Sequence, residues 1–154
     1  MADSGPITSA HIARIRELLA GFCEEFIRRG EVHDASKFDP VEKGPLDEMQ
    51  ALIEQEGHVP YGSNAFDRRT ALLGPMLEHH YARNSHHPEH YGADGIAGMD
   101  LFDLVEMFVD WKAASERGQE STINLSYSVE RYEIAPQLVS ILRNTAQRLG
   151  WAVR

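Results

Sequence analysis

A chain of 154 residues, of which 42% are hydrophobic and 25% charged, has the size and composition of one globular domain. Its formal net charge of −9 disfavours bulk nucleic-acid binding, because only 15 Lys and Arg are available to face phosphates. The single cysteine excludes an internal disulfide and suits a reducing environment. We therefore expect a cytoplasmic protein with neither a signal peptide nor an apolar run near the roughly 20 residues of a membrane span.

Hydrophobic residues recur at helical spacing and do not alternate convincingly, which predicts an all-α fold. We expect a single domain over residues 1–154, a bundle of about five to six helices with its core over about residues 7–149. The first helix is predicted at residues 7–29, with Gly30 as its stop.

Proline and glycine positions divide the next part of the chain. A short helix should carry residues 31–38 and end before Pro40, because the residue before a proline disfavours the helical conformation. A third, weaker helix is predicted at residues 46–55 and is closed by Gly57.

Asn64 is expected to cap a fourth helix, which is kinked at Gly74 and Pro75. Residues 84–98 are predicted to form a loop, and Asp100 to begin a strong helix that continues to about residue 114. The last helix should begin at Ser126 or Ser128 and end at Leu149.

His33 and Asp34 form the first candidate site. Adjacent residues on a helical turn point about 100° apart, so both reach one ion only from a buried, crowded position. Lys37 lies on the same face, where a cation cannot ligate a metal but can hold a phosphate beside one. A solvated helix start with an Asp34–Lys37 ion pair explains the same residues, because an HD dipeptide alone is weak evidence for a site.

Histidines are crowded in the middle of the chain, where four of the eight lie between His79 and His87. His80 falls on the centre of an apolar helical face, whereas His79 is expected to be more exposed. His86 and His87 follow in the predicted loop. Clustered imidazoles repel one another once protonated, so a site that gathers them usually binds a metal. An exposed polar loop is the alternative.

Asp103, Glu106 and Asp110 form a narrow acidic stripe on a helix whose other residues are mostly apolar. A surface helix normally has a wider polar face. The stripe is therefore either a thin solvated edge or a group that points into a polar site inside the bundle. His11 lies at the margin of the first helix's apolar face and, by itself, is typical of a core or capping histidine.

In chain order these residues give the pattern H…HD…H…HH…D, which resembles the HD superfamily of metal-dependent phosphohydrolases. In the two-metal, HD-GYP-like branch, HDxGK is similar to HDASK here, the histidine pair before glutamate to HHPE, and the late aspartate to EMFVDW. More narrowly, HDASKF, HxxxNxHHPEHY and ExxxDW are similar to DUF5662, a family of small uncharacterised proteins frequent in phages and bacteria. That similarity covers most of the span from His11 to about Ala114, and it brings no established activity.

The resemblance implies an HD-like bundle that binds one or two divalent transition metal ions (Fe, Mn, Co, Ni or Zn). The ligands that it implies for the first ion are His11, His33, Asp34 and Asp110. Asp34 would bridge to a second ion held by His80, His86 and His87.

The same resemblance implies a metal-dependent phosphohydrolase that acts on a nucleotide or another small phosphate ester through metal-activated water. Lys37 is the expected phosphate contact, and Arg83 and Asn84 are further candidates for substrate binding. Glu106 is expected to orient a metal-bound histidine or water. The cyclic-dinucleotide signature GYP is absent, which argues against that substrate.

Two other functions are alternatives to hydrolysis. An HD-type di-iron oxygenase would activate oxygen instead of water and would show a visible absorption band or oxygen consumption. A non-catalytic nucleotide-binding protein would sequester its ligand without turnover. A homodimer is compatible with the sequence.

Overall fold

A computed structural model describes residues 2–117 and 121–154, and it confirms the predicted all-α class. The chain divides into two compact units, one up to His33 and one from Asp34 onward. Among the described residues, none of the helices combines the length and the apolar character that crossing a membrane requires.

The first unit is one long helix, α1 (Gly5–Val32), and none of its residues is fully buried. Pro6 suits its first turn, where a backbone N–H has no helical partner. The predicted stop at Gly30 is wrong, because α1 continues through this glycine to Val32. Every fully buried apolar side chain in the described residues lies between Met76 and Ala146.

The second unit begins with a turn and not with the short helix predicted over residues 31–38. Asp34 has a φ of 56°, in the left-handed region, which interrupts the helical path. A single 3₁₀ turn follows at Ala35–Phe38, and α2 (Pro40–Glu56) begins directly after it. Pro40 therefore starts a helix, because its missing N–H costs nothing in the first turn. Gly57 closes α2 as predicted, with a φ of 84°.

Two short helices replace the long fourth helix, and the break falls where Gly74 and Pro75 predicted a kink. They are α3 (Asn64–Leu72) and α4 (Gly74–Arg83). The cap of α3 is Ser63 and not Asn64, because Ser63 Oγ accepts the backbone N–H of Phe66 at 3.1 Å. The predicted loop at residues 84–98 contains 3₁₀ turns at Pro88–Gly98.

The helix predicted after Asp100 is α5 (Leu101–Glu116), and Asp100 caps it by accepting the backbone N–H groups of Phe102 and Asp103. The predicted last helix is divided into α6 (Leu125–Arg131) and α7 (Pro136–Leu149). Two short strands that the periodicity did not predict, β1 (Thr122–Ile123) and β2 (Ala152–Val153), pair in parallel, with Ile123 opposite Val153. The core between these elements consists of Phe108, Ile123, Leu125, Leu142 and Ala146.

Candidate metal centre

Four side chains of the second unit converge on one point: Asp34, His80, His86 and His87, called here the His/Asp cluster. Each offers a ligand atom, and these atoms all lie within 4.8 Å of one another. His80 Nε2 is 3.0 Å from His87 Nε2 and 3.3 Å from Asp34 Oδ1. The same Asp34 oxygen is 3.6 Å from His86 Nε2. The cluster thus combines three imidazole nitrogens with one carboxylate oxygen.

Local structure explains why residues so distant in sequence meet. Asp34 begins the 3₁₀ turn before α2, and His80 lies on the buried face of α4. His86 and His87 follow the end of α4 at Arg83, where the chain turns away from the helix. His80 and His86 are 3% and 2% exposed. The predicted inward direction of His80 is therefore confirmed.

Glu42 determines how His80 faces the cluster. This carboxylate on α2 is fully buried, and its two oxygens lie 2.7 Å from His79 Nδ1 and 2.8 Å from His80 Nδ1. Burial alone would raise the pKa of Glu42, but hydrogen bonds from His79, His80 and Ser36 outweigh it and lower the pKa below its usual value. Because His80 Nδ1 donates its hydrogen to an ionised Glu42, the lone pair of His80 is on Nε2, which faces the cluster.

Glu106 does the same for His86. Its Oε1 lies 3.2 Å from His86 Nδ1, so the hydrogen belongs on Nδ1 and the lone pair on Nε2. The expected contact between Glu106 and a histidine is present. Burial, with the neighbouring His86 and His80, lowers the pKa of His87 to about 3, so this ring is neutral near pH 7.

This donor set fits a divalent transition metal. Neutral imidazoles suit Zn, Fe, Co and Ni, and a carboxylate adds the negative charge that a dication requires. The separations of 3.0–3.6 Å between ligand atoms match donors about 2.1 Å from a common centre. Carboxylates on the far nitrogens of His80 and His86 are the usual outer support of histidine ligands.

Asp110 lies at the edge of the cluster. One of its carboxylate oxygens is within 4.8 Å of a ring nitrogen of His86, and its charge raises the pKa of His87 against the stronger effects that lower it. The whole acidic stripe of α5 points into the second unit, because Asp103 is buried and Glu106 and Asp110 are half-buried. Of the two interpretations of the stripe, the polar site inside the bundle is confirmed.

His11 and His33 belong to the first unit, and the structure separates them. Both follow the axis of one continuous helix, on which 22 residues correspond to a rise of about 33 Å. The expectation that both bind the same ion within one chain is therefore wrong. The separate role of each as a ligand stays a prediction.

Lys37 pairs with Asp34 through Oδ2, the carboxylate oxygen that does not face His80 and His86. The ammonium group is thus next to the cluster without being one of its donors, and the Lys37 side chain is 34% exposed. The ion pair that the sequence offered as an alternative is present. A role in holding phosphate stays a prediction.

Two expected substrate contacts have other partners. Arg83 Nε donates to His79 Nε2 at 2.9 Å, which completes a chain from Arg83 through His79 to Glu42. The amide nitrogen of the buried Asn84 donates to Ser36 Oγ at 2.7 Å and to the His80 carbonyl at 2.8 Å. Asn84 therefore supports His80 from inside the protein. Its expected role in substrate binding stays a prediction.

Sequence reasoning missed Glu42 and underestimated Asp103. Glu42 is an ordinary acidic residue in the first turn of a helix, and nothing in its spacing marks it. Asp103 accepts hydrogen bonds from Ser85 Oγ at 2.6 Å and from Tyr91 Oη at 2.5 Å. These bonds attach the chain on both sides of the His86–His87 pair to α5. The sequence did indicate a special role for Asp103, because it is an acidic residue on a mostly apolar helix.

A family model described as a family of unknown function (DUF5662) matches residues 3–148. No curated protein and no solved structure shows a significant match to the chain.

Proposed function

Because the chain belongs to the DUF5662 family, whose function is unknown, we propose from its own site that it is a metal-dependent phosphohydrolase acting on a nucleotide or another small phosphate ester. The observation that carries this proposal is the convergence of three imidazole nitrogens and one carboxylate oxygen within 4.8 Å. The order of these residues in the chain, which resembles the HD superfamily, supports the same reading.

A divalent ion held by the cluster would supply a Lewis acid and a water that loses its proton near neutral pH. The residues of this chain would orient the ligands of that ion. Glu42 and Glu106 hold His80 and His86 with their Nε2 atoms inward, so the donors are oriented before an ion arrives. Pre-oriented donors lower the reorganisation that binding and reaction require.

Lys37 provides the argument for a phosphate substrate. Its ammonium contacts Asp34 Oδ2 from outside the donor set, and its side chain is 34% exposed, so it lies within reach of a ligand bound at the cluster. Lys37 would stabilise the charge on the oxygens of a phosphoryl group there while Asp34 Oδ1 remains with the cluster. Arg83, which is exposed next to His79, is a second cation on the neighbouring helix α4.

The experiment combines metal analysis with a hydrolysis panel. Protein purified without chelator is analysed for transition metals, and it is then assayed against nucleoside mono-, di- and triphosphates and phosphodiesters. We expect bound metal and turnover of at least one substrate, and loss of both in Asp34→Asn. The matched control is Asp47→Asn, since Asp47 is an exposed carboxylate that pairs only with Lys43 in the described residues.

Other outcomes distinguish the rival functions. A visible absorption band together with oxygen consumption would favour the di-iron oxygenase. Tight retention of a nucleotide without turnover would favour the binding protein. A preparation that binds no transition metal would contradict the phosphohydrolase and the oxygenase together.

A further inference from the structure

The second unit contains a cavity of about 690 Å³, and none of its lining residues belongs to the His/Asp cluster. The walls come from the segment between α2 and α3, the start of α3, the last turns of α5, β1 with the start of α6, and the residue after β2. Pockets that bind small molecules in proteins have volumes of about 300–1,000 Å³. The cavity is therefore large enough for a ligand that consists of a ring system and a charged group.

Aromatic side chains form a large part of this lining: Tyr61, Phe66 and Trp111. Tyr61 is held edge-on by Phe66 and by Tyr127, with ring centroids 4.9 Å apart in both pairs. The ring of Trp111 is nearly parallel to that of Tyr132, at an angle of 7° and a centroid distance of 6.1 Å. Because neighbouring rings hold Tyr61 and Trp111 in place, the cavity has a rigid aromatic lining against which a flat ligand can pack.

The charged side chains of the lining are basic. Arg117 and Arg154 are both exposed, and no Asp or Glu belongs to the lining in the part of the chain that the structure describes. This contrasts with the whole chain, in which 24 acidic residues outnumber 15 Lys and Arg. Glu116 is next to Arg117 in the sequence but pairs with Lys112 at 2.9 Å. Among the described residues Arg117 has no ion pair, so its guanidinium is available to an anion in the cavity.

Three neutral residues of the lining are compatible with an anion beside Arg117. The indole N–H of Trp111 has no hydrogen-bond acceptor among the described residues, and it can only donate. Burial raises the pKa of Tyr61, so its hydroxyl stays neutral and does not repel a negative charge. The amide of Asn124 donates to the Tyr61 carbonyl at 3.2 Å, which joins two parts of the wall.

We propose that this cavity is a second ligand site and that it binds a flat aromatic anion, a ring system that carries a carboxylate or a phosphate. The aromatic side chains of the lining pack against the ring of the ligand, and Arg117 pairs with its charged group. The cavity shares no residue with the His/Asp cluster, so this site does not depend on the proposed function.

The first experiment titrates the full chain in a calorimeter with two pairs of probes. Naphthoate is compared with its uncharged amide, and adenosine monophosphate is compared with adenosine, so that a carboxylate and a phosphate are tested separately. We expect at least one anion to bind roughly tenfold more tightly than its uncharged partner, because its charged group pairs with Arg117. Failure of both anions to bind, or equal affinities within both pairs, overturns the proposal.

The second experiment locates the bound anion. Arg117→Gln should remove the preference for the anion, whereas Arg143→Gln, at an exposed arginine of α7 outside the lining, should keep it. Ala114→Trp should fill the cavity and abolish binding, whereas Ala113→Trp, at the exposed neighbour that does not line the cavity, should not. Circular dichroism shows whether each variant keeps its helical content. An undiminished preference in Arg117→Gln, or equal binding in two folded tryptophan variants, overturns the proposal.

Asp34→Asn separates this site from the His/Asp cluster. Because Asp34 belongs to the cluster and not to the lining, this variant should bind the anion with the affinity of the parent, whether or not it retains metal. An affinity that falls tenfold in Asp34→Asn and is unchanged in Arg117→Gln would place the anion at the cluster. That result overturns the second site and leaves the proposed function intact.

Discussion

The Oε2 atom of Glu42 lies 2.8 Å from Nδ1 of His80, and the carboxylate and the imidazole are both almost completely buried. Buried charge of this kind is costly unless hydrogen bonds compensate it, and Glu42 receives them from His79, His80 and Ser36. The arrangement fixes the tautomer of His80. Its consequences can be measured through metal affinity.

Glu42→Gln is expected to weaken transition-metal binding by roughly 10- to 100-fold, the usual effect of removing an outer carboxylate behind a histidine ligand. The neutral amide holds His80 Nδ1 less firmly and makes Nε2 a weaker donor. Competition with a chromophoric chelator measures the affinity. Glu54→Gln on the same helix is the control, because Glu54 is exposed and bonds only to Gln50 in the described residues. Equal affinities for the two variants would show that Glu42 has no role in binding.

His80→Ala should remove the metal from the His/Asp cluster, because it deletes the donor that lies nearest to both Asp34 and His87. It should also destabilise the protein by about 1–3 kcal/mol, since Glu42 loses a buried hydrogen-bond partner. Metal analysis and urea denaturation separate the two effects. His58→Ala, at an exposed histidine, should change neither. A fully metal-loaded His80→Ala protein would contradict the proposed site.

Lys37→Ala should keep its metal and lower turnover of the best substrate by roughly tenfold or more, which corresponds to about 1.4 kcal/mol. The reason is that Lys37 contacts Asp34 from outside the donor set and is available to a phosphate. Steady-state kinetics on metal-loaded protein measures the effect, with Lys43→Ala as the control, since Lys43 pairs with Asp47 at the surface. Parental turnover in Lys37→Ala would leave this lysine as an ion-pair partner of Asp34 and nothing more.

Tyr91→Phe should destabilise the second unit by about 1.5–3 kcal/mol, because the buried, charged Asp103 loses a donor at 2.5 Å. Burial, followed by this hydrogen bond and the charge of Asp103, raises the pKa of Tyr91 to about 12. Chemical denaturation gives the change in free energy. In Tyr127→Phe the lost hydroxyl contacts Asp67 and Arg131, which are both exposed, and a much smaller change is expected. An equally large loss of stability in Tyr127→Phe would mean that burial of the acceptor carboxylate does not determine how much free energy the missing hydrogen bond costs.

Structural features that depend on a few neighbouring residues could be predicted from the sequence. Asp100 caps α5 and Gly57 closes α2, because each acts on backbone groups within one turn of itself. The inward direction of His80 was also predictable, since it depends only on the apolar residues of its own helix. For the same reason the break near Gly74 was visible in the sequence.

Features that depend on distant partners were not predictable. Glu42 is buried because His79 and His80, nearly forty residues later, pack against it. The turn at Asp34 replaces a predicted helix, because Asp34 adopts a left-handed conformation that aspartate takes only occasionally and that the neighbouring residues do not specify. Separation of His11 from His33 follows from α1, which continues through Gly30 because one glycine costs a helix only about 1 kcal/mol.

The parallel bridge between β1 and β2 closes a loop of about 30 residues, from Ile123 to Val153. Two further bonds tighten it, because Arg154 N donates to the Ile123 carbonyl and Ser126 N donates to the Arg154 carbonyl. Helices α6 and α7 lie inside this closed loop, and the bridge joins the ends of the loop beside the core that both helices help to form. In hydrogen exchange the amides of Ser126 and Arg154 should therefore open together, as one cooperative segment.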